Sequence, residues 1–285
     1  VMTVLSANAA AFFDAESAII RVEVTEVRGS SPREAGTEMF VGAKLLQGTI
    51  GGGRLEQIAI DRGRELLETR QLCDMLDVPL GPEIGQCCGG HVRLRLSWMS
   101  RADRQEALYR IRKEKARQPH VYIMGAGHVG RAIADLLQHA PVTCVLVDMR
   151  QEELQKCEAT VDKRLRALPE VDVFNAPPKS AFIVLTHDHG LDFLLTSAAL
   201  ELGHAAYVGM IGSATKRAKL RSWCRTHCDG LTIDQLTCPI GATASRDKRP
   251  EIIAAFVAAE VLTAVTTVQH VSDSGEEAAL LEAAQ

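Results

Sequence analysis

The chain has 285 residues, of which 46% are hydrophobic and 24% charged, and its formal net charge is −4 at pH 7. At about 150 residues per domain this length predicts two domains or one large one, and the composition excludes global disorder. Because 32 basic residues face 36 acidic ones, neither a nucleic acid nor an anionic membrane surface is expected as the main partner. We expect a small molecule or another protein instead.

Neither a signal sequence nor a membrane span is predicted. No N-terminal stretch joins a basic region to an apolar one, and no run reaches about 18 uninterrupted apolar residues. The nearest candidate, 252–271, carries Glu260 at its middle, and we predict a buried helix there. The eight cysteines are too scattered for the disulfide framework of a small secreted domain. Free thiols and a cytoplasmic location are therefore expected.

The N-terminal part of the chain predicts a small α+β domain. Its expected elements are a strand over 18–27, a hairpin over 39–47, a helix over 54–68 and a strand over 92–97. Mixed strands with one helix are typical of this class. The charged segment 101–118 predicts a solvated helix that leads into a linker.

The C-terminal part predicts a Rossmann-like, doubly wound α/β domain. Four short apolar runs alternate with helix-length segments, at 121–124, 142–147, 181–186 and 206–211. Nearly continuous apolar strands of this kind are typical of a parallel sheet covered on both faces. The predicted boundaries are 1–112 for the α+β domain, 113–119 for the linker, 120–271 for the Rossmann-like domain and 272–285 for an acidic tail.

A glycine-rich turn follows the first predicted parallel strand. Gly125, Gly127 and Gly130 are spaced as GxGxxG and open an amphipathic segment. A turn of this kind brings the backbone close to a pyrophosphate, with a helix N-terminus facing the anion. We therefore predict ligand contacts from these glycines and from His128.

Two charged residues after the next strand bear on what this turn binds. Asp148 follows the strand predicted over 142–147, at the place where an acid accepts hydrogen bonds from a ribose. Arg150 can engage a phosphate as readily as it can tune a nicotinamide site. Because one fold hosts many functions, the sequence leaves a dinucleotide and another phosphorylated ligand both open.

A second glycine cluster lies between a strand and a helix of the first domain, in the run GTIGGGRLE at 48–56. Gly51, Gly52 and Gly53 are expected to leave their amides free as an anion-binding nest, with Arg54 beside it. The run is not a phosphate-binding P-loop, because no Gly-Lys-Ser/Thr follows. A tight turn alone explains one or two glycines, so three favour a site.

Vicinal cysteines, Cys87 and Cys88, stand between Gln86 and the pair Gly89 and Gly90. A thiolate flanked by exposed backbone amides can bind a soft metal or a sulfur species, although most free cysteines are simply buried. The pattern favours a functional thiol on Cys87 or Cys88, with Gln86 beside it at a ligand site, no more than a buried one. The other cysteine group, Cys224 and Cys228, lacks a partner pair, so structural zinc is not favoured.

Further polar residues follow the remaining parallel strands. His187 and His189 come after the third predicted strand, at the edge where doubly wound folds bind ligands. Their pattern favours ligand binding or proton handling no more than a plain polar loop. Gly212 and Ser213 end the next strand, and Lys216 supplies charge for a phosphate.

Several of these motifs occur together in the order typical of one family. They are Gly29-Ser30-Ser31-Pro32, GTIGGGRLE at 48–56, Cys88-Gly89-Gly90, GAGHVG at 125–130, Val147-Asp148-Met149-Arg150, Thr186 to His189, and YVGMIGS at 207–213 with Lys216. The chain resembles the XdhC/CoxI family, the accessory proteins of xanthine dehydrogenase, from about residue 18 to 265.

The resemblance implies maturation of a molybdoenzyme rather than catalysis. Members of this family bind the molybdenum cofactor, support its sulfuration with a cysteine desulfurase, and insert it into apo xanthine dehydrogenase. Cys88 matches the cysteine of the family's CGG motif and is the residue expected to contact molybdenum. No catalytic residues are expected, and a homodimer is left open.

One departure and two alternatives accompany this resemblance. The run Pro239-Ile240-Gly241 continues with Ala242-Thr243, where the family has a Leu-Asp-Ile-Gly-like stretch. The first alternative is an oxidoreductase that binds NAD(P) in the Rossmann-like domain. The second is a sulfur carrier with a persulfide on Cys87 or Cys88.

Overall fold

The computed structural model describes residues 4–5, 9–81, 89–242, 245 and 247–283, with side chains described from residue 9 to residue 267. The chain divides into two compact units, Val1–Glu114 and Lys115–Gln285. Gln86, Cys87 and Cys88 lie outside the described residues. The six described cysteines are free thiols, as predicted.

The first unit is built on a six-stranded sheet with the order β1-β4-β3-β2-β6-β5. Its strands are β1 (Val4–Leu5), β2 (Ile19–Arg28), β3 (Glu38–Gly42), β4 (Leu45–Gly48), β5 (Cys73–Pro79) and β6 (His91–Trp98). Its helices are α1 (Ala9–Ala15), α2 (Gly53–Thr69) and α3 (Arg101–Ala116). The structure confirms the α+β class predicted for this unit.

Alternation along the central strand explains the core of this sheet. In β2, Ile20, Val22 and Val24 point to the buried face, where α2 adds Leu55 and Leu66. Period-2 burial on a strand and helical spacing on α2 are the two patterns that fill one apolar layer. The edge strand β5 was not predicted, because its residues are mostly exposed.

The second unit contains a six-stranded sheet with the order β12-β11-β10-β7-β8-β9, and every strand pair in it is parallel. Its strands are β7 (His120–Met124), β8 (Thr143–Asp148), β9 (Asp162–Leu165), β10 (Ala181–Val184), β11 (Tyr207–Met210) and β12 (Leu236–Thr237). Its helices are α4 (His128–Leu137), α5 (Gln151–Gln155), α6 (Glu170–Phe174), α7 (His189–Glu201), α8 (Ala214–His227) and α9 (Pro250–Ala283). This strand order is that of the Rossmann fold, so the predicted fold class is confirmed.

Two apolar layers cover the two faces of this sheet. Val121 and Ile123 belong to one core cluster with α4 and α9, and Tyr122 and Met124 belong to another with α7 and α8. Burial on both faces is the reason why these strands are continuously apolar in the sequence. The short strand β9 escaped prediction because it is a charged edge strand with the sequence DKRL.

Helix α9 contains a stretch, Pro250–Thr267, that is long and apolar enough to cross a membrane by length and composition. Ala254, Val257 and Val261 are fully buried in the core layer shared with α4. A core helix of a globular protein passes the same test of length and composition. The predicted helix is present, and one face of it is buried, while 28% of the stretch as a whole is buried.

Candidate functional site

The carboxyl edge of the second sheet has the geometry of a ligand site. Strand β7 lies between β8 and β10, so the connections that leave β7 and β10 run to opposite sides of the sheet. Doubly wound folds bind ligands in the crevice at this switch point. Two turns predicted from the sequence meet there: Gly125 donates its amide to Val147 O, and Leu185, before Thr186, donates to Met124 O.

The three glycines of the turn 125–130 differ in what surrounds them. A Cβ atom at Gly125 would lie 2.5 Å from the carbonyl oxygen of Leu185, and one at Gly130 would lie 1.9 Å from that of Gly125. A Cβ atom at Gly127 would meet nothing within 4 Å. The outer glycines therefore allow close packing, whereas Gly127 leaves the backbone open to a ligand, the division of roles in a dinucleotide turn.

Charged side chains hold this turn from both sides. The amide of Ala126 donates to Asp148 Oδ2 at 2.7 Å. Arg131 Nη1 donates to Ala126 O at 2.6 Å and also contacts Glu153 Oε2 at 2.6 Å. Both the amide and the carbonyl of Ala126 are thus fixed, and the N-terminus of α4 has no side-chain cap. Arg131 is a positioning residue that the sequence analysis missed.

Asp148 is already fully engaged within the chain. Its Oδ1 accepts from the amide and Nε of Arg150, and its Oδ2 accepts from Ala126 and from Arg150 Nη2, at 2.7 to 3.0 Å. These four hydrogen bonds fill the acceptor positions of a carboxylate, and only 4% of the side chain is exposed. Burial acts to raise the pKa of Asp148, but the bonds from Arg150 and Ala126 outweigh it and lower that pKa below 3.8. Arg150 thus covers the acid that was expected to meet a ribose.

Two cavities of unequal size lie along this edge. The crevice beside Asp148, also lined by Met149, Pro169 and Leu191, encloses about 10 Å³. A groove at the ends of β10 and β11 encloses about 490 Å³, and we call it the α7–α8 groove. It is lined by Thr186, His189, Phe193, Ile211, Lys216 and Lys219, among others. Ligand pockets usually enclose about 300–1,000 Å³, so the groove is the cavity of ligand size at this edge.

The turn Thr186 to His189 divides its residues between these cavities. His187 lines the crevice and His189 lines the α7–α8 groove. Asp188 between them caps α7, because its side chain accepts a hydrogen bond from the amide of Leu191 at 2.8 Å. The two histidines therefore do not form a single ligand pair, and Asp188 has a structural role.

One of the residues that line the α7–α8 groove, Lys216, belongs to a buried ion pair. Asp192 is 1% exposed, and its Oδ2 pairs with Lys216 Nζ. Its Oδ1 accepts from the amide and hydroxyl of Thr186 at 2.9 and 2.7 Å. Ser213 caps α8 by accepting from the amide of Lys216 at 3.3 Å. The structure therefore brings together Gly212, Ser213, Lys216 and His189 on one groove, as predicted for this edge.

Glu260 holds the turn at Gly241, just before the residues where the sequence departs from the family pattern. Both its carboxylate oxygens lie 3.1 Å from the amide of Gly241, whose φ is +63°. The hydroxyl of Tyr207 donates to the same carboxylate at 2.9 Å, and burial followed by Glu260 raises the pKa of Tyr207. The first part of this turn is thus fixed by α9, while Thr243 and Ala244 lie outside the described residues.

The glycine turn of the first unit is filled by a side chain of its own helix. Glu56 Oε2 accepts from the amides of Ile50 and Gly52, each at 3.1 Å. Gly51 donates to Thr49 Oγ1 at 3.1 Å. The expectation that Gly51 and Gly52 leave their amides free is therefore wrong, because an internal carboxylate occupies the nest. Arg54 beside it is exposed.

Three motifs of the first unit nevertheless meet at this turn. Gly51 lies against Pro32, whose Cβ and Cγ would be 2.6 Å from a Cβ atom added there. Ser30 forms a parallel bridge with Gly89, and a Cβ atom at Gly90 would lie 2.0 Å from Ser30 O. The segment 29–32 thus joins the glycine turn to the two glycines that follow Cys88 in the sequence.

The remaining cysteines form no metal centre in the part of the chain that the structure describes, where no group of three His, Cys, Asp or Glu residues could hold an ion. Cys224 is fully buried on α8. Burial, with a smaller effect from Cys228, raises the pKa of Cys224 to about 11. A thiol of this kind is protonated and unreactive at neutral pH.

Comparisons with known proteins identify the family. A model described as the XdhC Rossmann domain matches residues 121–261, and one described as the XdhC and CoxI family matches residues 13–77. The chain belongs to the XdhC/CoxI family. The two matched segments fall in the two units of the structure, one in each.

Two individual proteins are also similar to the chain. The uncharacterized protein YqeB of Escherichia coli K12 is 23% identical over 250 residues, which are 84% of this chain and 42% of YqeB. The chain therefore spans less than half the length of this curated relative. A Bacillus halodurans crystal structure described as a xanthine dehydrogenase superposes with a TM-score of 0.74 at 16% identity. It covers 91% of this chain and 95% of that one, and at this identity it shows that the fold is shared.

Proposed function

We propose that this chain is an accessory protein of xanthine dehydrogenase that binds the molybdenum cofactor, supports its sulfuration and inserts it into the apo-enzyme. Membership of the XdhC/CoxI family supports the accessory role. The observation that carries the binding role is the Rossmann edge itself. It keeps an open approach at Gly127 and a roomy cationic groove, but its ribose acceptor is covered by Arg150.

The residues of this edge fit the cofactor as a cargo. Molybdopterin carries a terminal phosphate, a flat pterin with a polar edge, and a metal bound through a dithiolene. Lys216 and Lys219 supply cations for a phosphate. Thr186 and His189 supply hydrogen-bonding groups, and Phe193 and Ile211 supply apolar surface in the same groove. A site that combines apolar walls with a few polar groups is typical of small-molecule binding.

Cys88 supplies the sulfur chemistry in this proposal. It matches the family's CGG motif, and the two glycines that follow it lie beside Ser30. We propose that the Cys88 thiolate contacts the molybdenum of the cargo while a cysteine desulfurase provides the terminal sulfur. Four of the six described cysteines fit this role less well because they are buried, namely Cys144, Cys157, Cys224 and Cys238.

A nicotinamide-dependent activity has less support. Dinucleotide-binding turns present a free acid to the ribose hydroxyls, and here both oxygens of Asp148 are occupied by Ala126 and Arg150. The crevice beside it is also narrow, with a volume of about 10 Å³. We therefore expect no turnover with NAD(H) or NADP(H) by the isolated chain.

Molybdenum content and activation of apo xanthine dehydrogenase test the proposal. The protein is produced in cells that make the cofactor, and its bound molybdenum and pterin are measured. Cys88→Ala is compared with Cys73→Ala, which removes an exposed thiol of the same unit. We expect Cys88→Ala to lose most bound or sulfurated cofactor and most activation, and Cys73→Ala to behave as the parent.

Two results would contradict the proposal. A parent protein without molybdenum or pterin, unable to activate the apo-enzyme, would remove the carrier role. Substrate oxidation that depends on a nicotinamide cofactor and is abolished by Gly127→Val would favour the oxidoreductase instead.

A further inference from the structure

One cation of the α7–α8 groove is held in place by a buried carboxylate. Lys216 is a cation whose side chain is only 11% exposed, and it is fixed by Asp192, which is 1% exposed. Asp192 is itself held by Thr186 through two hydrogen bonds. An ammonium group has three donors, so Lys216 can keep its bond to Asp192 and still donate into the groove.

The cationic character of the groove survives the pairing of Lys216. Asp192 neutralises one positive charge, but the exposed Lys219 also lines the groove and has no salt bridge with any described residue. A lysine ammonium attracts an anion most strongly where water is partly excluded. A ligand with an anionic end is therefore the type that this groove attracts.

Part of the groove's lining is apolar and aromatic. Phe193 and Ile211 are both partly buried and both line the cavity. The Phe193 ring centroid lies 6.1 Å from that of Trp223, so this lining residue belongs to an aromatic pair. An anionic end beside such a lining fits a phosphorylated flat heterocycle, because aromatic rings pack favourably against flat ring systems.

We infer that the α7–α8 groove holds the phosphate and the pterin of the cofactor, with Lys216 and Lys219 on the phosphate and Phe193 against the pterin. This assignment rests on the proposed function and makes Asp192 a positioning residue for Lys216. It places the phosphate away from the crevice beside Asp148, where the volume is about 10 Å³.

Trp223 provides a local reporter for this binding. The chain has two tryptophans, so Trp98→Phe leaves Trp223 as the single fluorophore. The probes are 6-hydroxymethylpterin, its monophosphate, and inorganic phosphate. We expect the monophosphate to quench Trp223 and to bind at least about tenfold more tightly than the unphosphorylated pterin, because a charge-assisted phosphate contact supplies at least that factor.

Matched variants distinguish a cation that lines the groove from the other positive charges of α8. In the Trp98→Phe background, Lys219→Ala should weaken binding of the monophosphate about tenfold and leave that of the unphosphorylated pterin unchanged. Arg225→Ala, which removes an exposed cation from the last turn of the same helix, should change neither. Because Lys219 and Arg225 are both exposed, neither substitution is expected to unfold the protein.

Lys216 and Asp192 have to be substituted together. Lys216→Met alone would leave Asp192 buried without its cation, so it is combined with Asp192→Asn, and the thermal unfolding of the double variant is measured. We expect a folded protein whose preference for the monophosphate is lost. Restoring Lys216 on Asp192→Asn should recover part of that preference, which a purely structural role of the pair would not produce.

Equal binding of the monophosphate by the parent, Lys219→Ala and the double variant would overturn the inference. If Gly127→Val abolished binding in that case, the phosphate would belong to the N-terminus of α4, and the carrier function would stand. Failure of the proposed function is a separate result: the parent would then contain neither molybdenum nor pterin after production in cofactor-making cells.

Discussion

The two glycine-rich turns of this protein look alike in sequence and differ in structure. Each follows a strand and opens a helix, at 48–56 before α2 and at 125–130 before α4. In the first turn, Glu56 accepts hydrogen bonds from the amides of Ile50 and Gly52. In the second, the Asp148 carboxylate accepts from the amide of Ala126, the residue before the N-cap Gly127.

The difference shows that a glycine cluster before a helix is not by itself an anion site. Free amides at a helix N-terminus attract any anion, and a carboxylate of the same chain satisfies them at high effective concentration. Glu56 reaches back as the glutamate of a capping box does. In the second turn Asp148 and Arg131 hold Ala126, and α4 has no glutamate that could reach back to the turn.

The largest expected effect is a difference in stability between substitutions at the packed Gly130 and at the open Gly127. Gly130→Ala places a Cβ atom 1.9 Å from the carbonyl oxygen of Gly125, and we expect a loss of about 3 kcal/mol in the free energy of unfolding. Gly127→Ala meets nothing within 4 Å and should leave that free energy unchanged. Chemical denaturation of both variants measures this, and equal stabilities would contradict the division of roles.

Removing the internal carboxylate should turn the first turn into the anion site that it resembles. Glu56→Ala leaves the amides of Ile50 and Gly52 without their acceptor, which should cost about 2 kcal/mol of stability. Inorganic phosphate should restore part of this loss in the variant and should not stabilise the parent through this turn. Glu56→Gln, which keeps an acceptor oxygen, is the control. Thermal unfolding with and without phosphate measures this. A Glu56→Ala variant that phosphate does not stabilise would contradict the interpretation of this turn as an anion-binding nest.

Arg150 should decide whether the second turn accepts a nucleotide. Arg150→Ala uncovers the Asp148 carboxylate, which can then accept hydrogen bonds from ribose hydroxyls. We expect NAD to bind at least about tenfold more tightly to this variant than to the parent, from one recovered charged hydrogen bond. Adding Asp148→Asn should remove the gain. Calorimetric titration measures both, and equally tight binding by the parent would show that Arg150 does not close the site.

The smallest effect is a pH dependence of the second unit. The pKa of Asp148 is lowered in the folded chain because the bonds from Arg150 and Ala126 outweigh the effect of burial. A lowered carboxyl pKa stabilises the fold above the unfolded value of about 3.9, and this contribution is lost as the pH falls through the folded value. Asp148→Asn should therefore be less stable than the parent at pH 7, and the difference should shrink towards pH 3. Urea unfolding at several pH values measures it, and a constant difference would refute the assignment.

Much of the fold follows from local patterns in the sequence. The apolar runs that became β7, β8, β10 and β11 are continuous because both faces of the sheet are covered. The elements that escaped prediction, such as β5 and β9, lie at sheet edges, where exposed residues carry little hydrophobic pattern. The GxGxxG turn was recognisable because its glycines meet steric limits set within a few residues, as Gly130 does against Gly125.

The sequence by itself determined the family, the two kinds of domain and the edge of the sheet where the polar residues gather. Only the tertiary structure decided which of those residues are free to bind a ligand. Glu56 fills one glycine turn, Arg150 covers Asp148, and Asp192 holds Lys216 on another helix. These outcomes depend on which donor and acceptor side chains come within hydrogen-bonding distance once the helices pack. Periodicity and spacing describe faces and turns, and they contain no information on how those side chains pair.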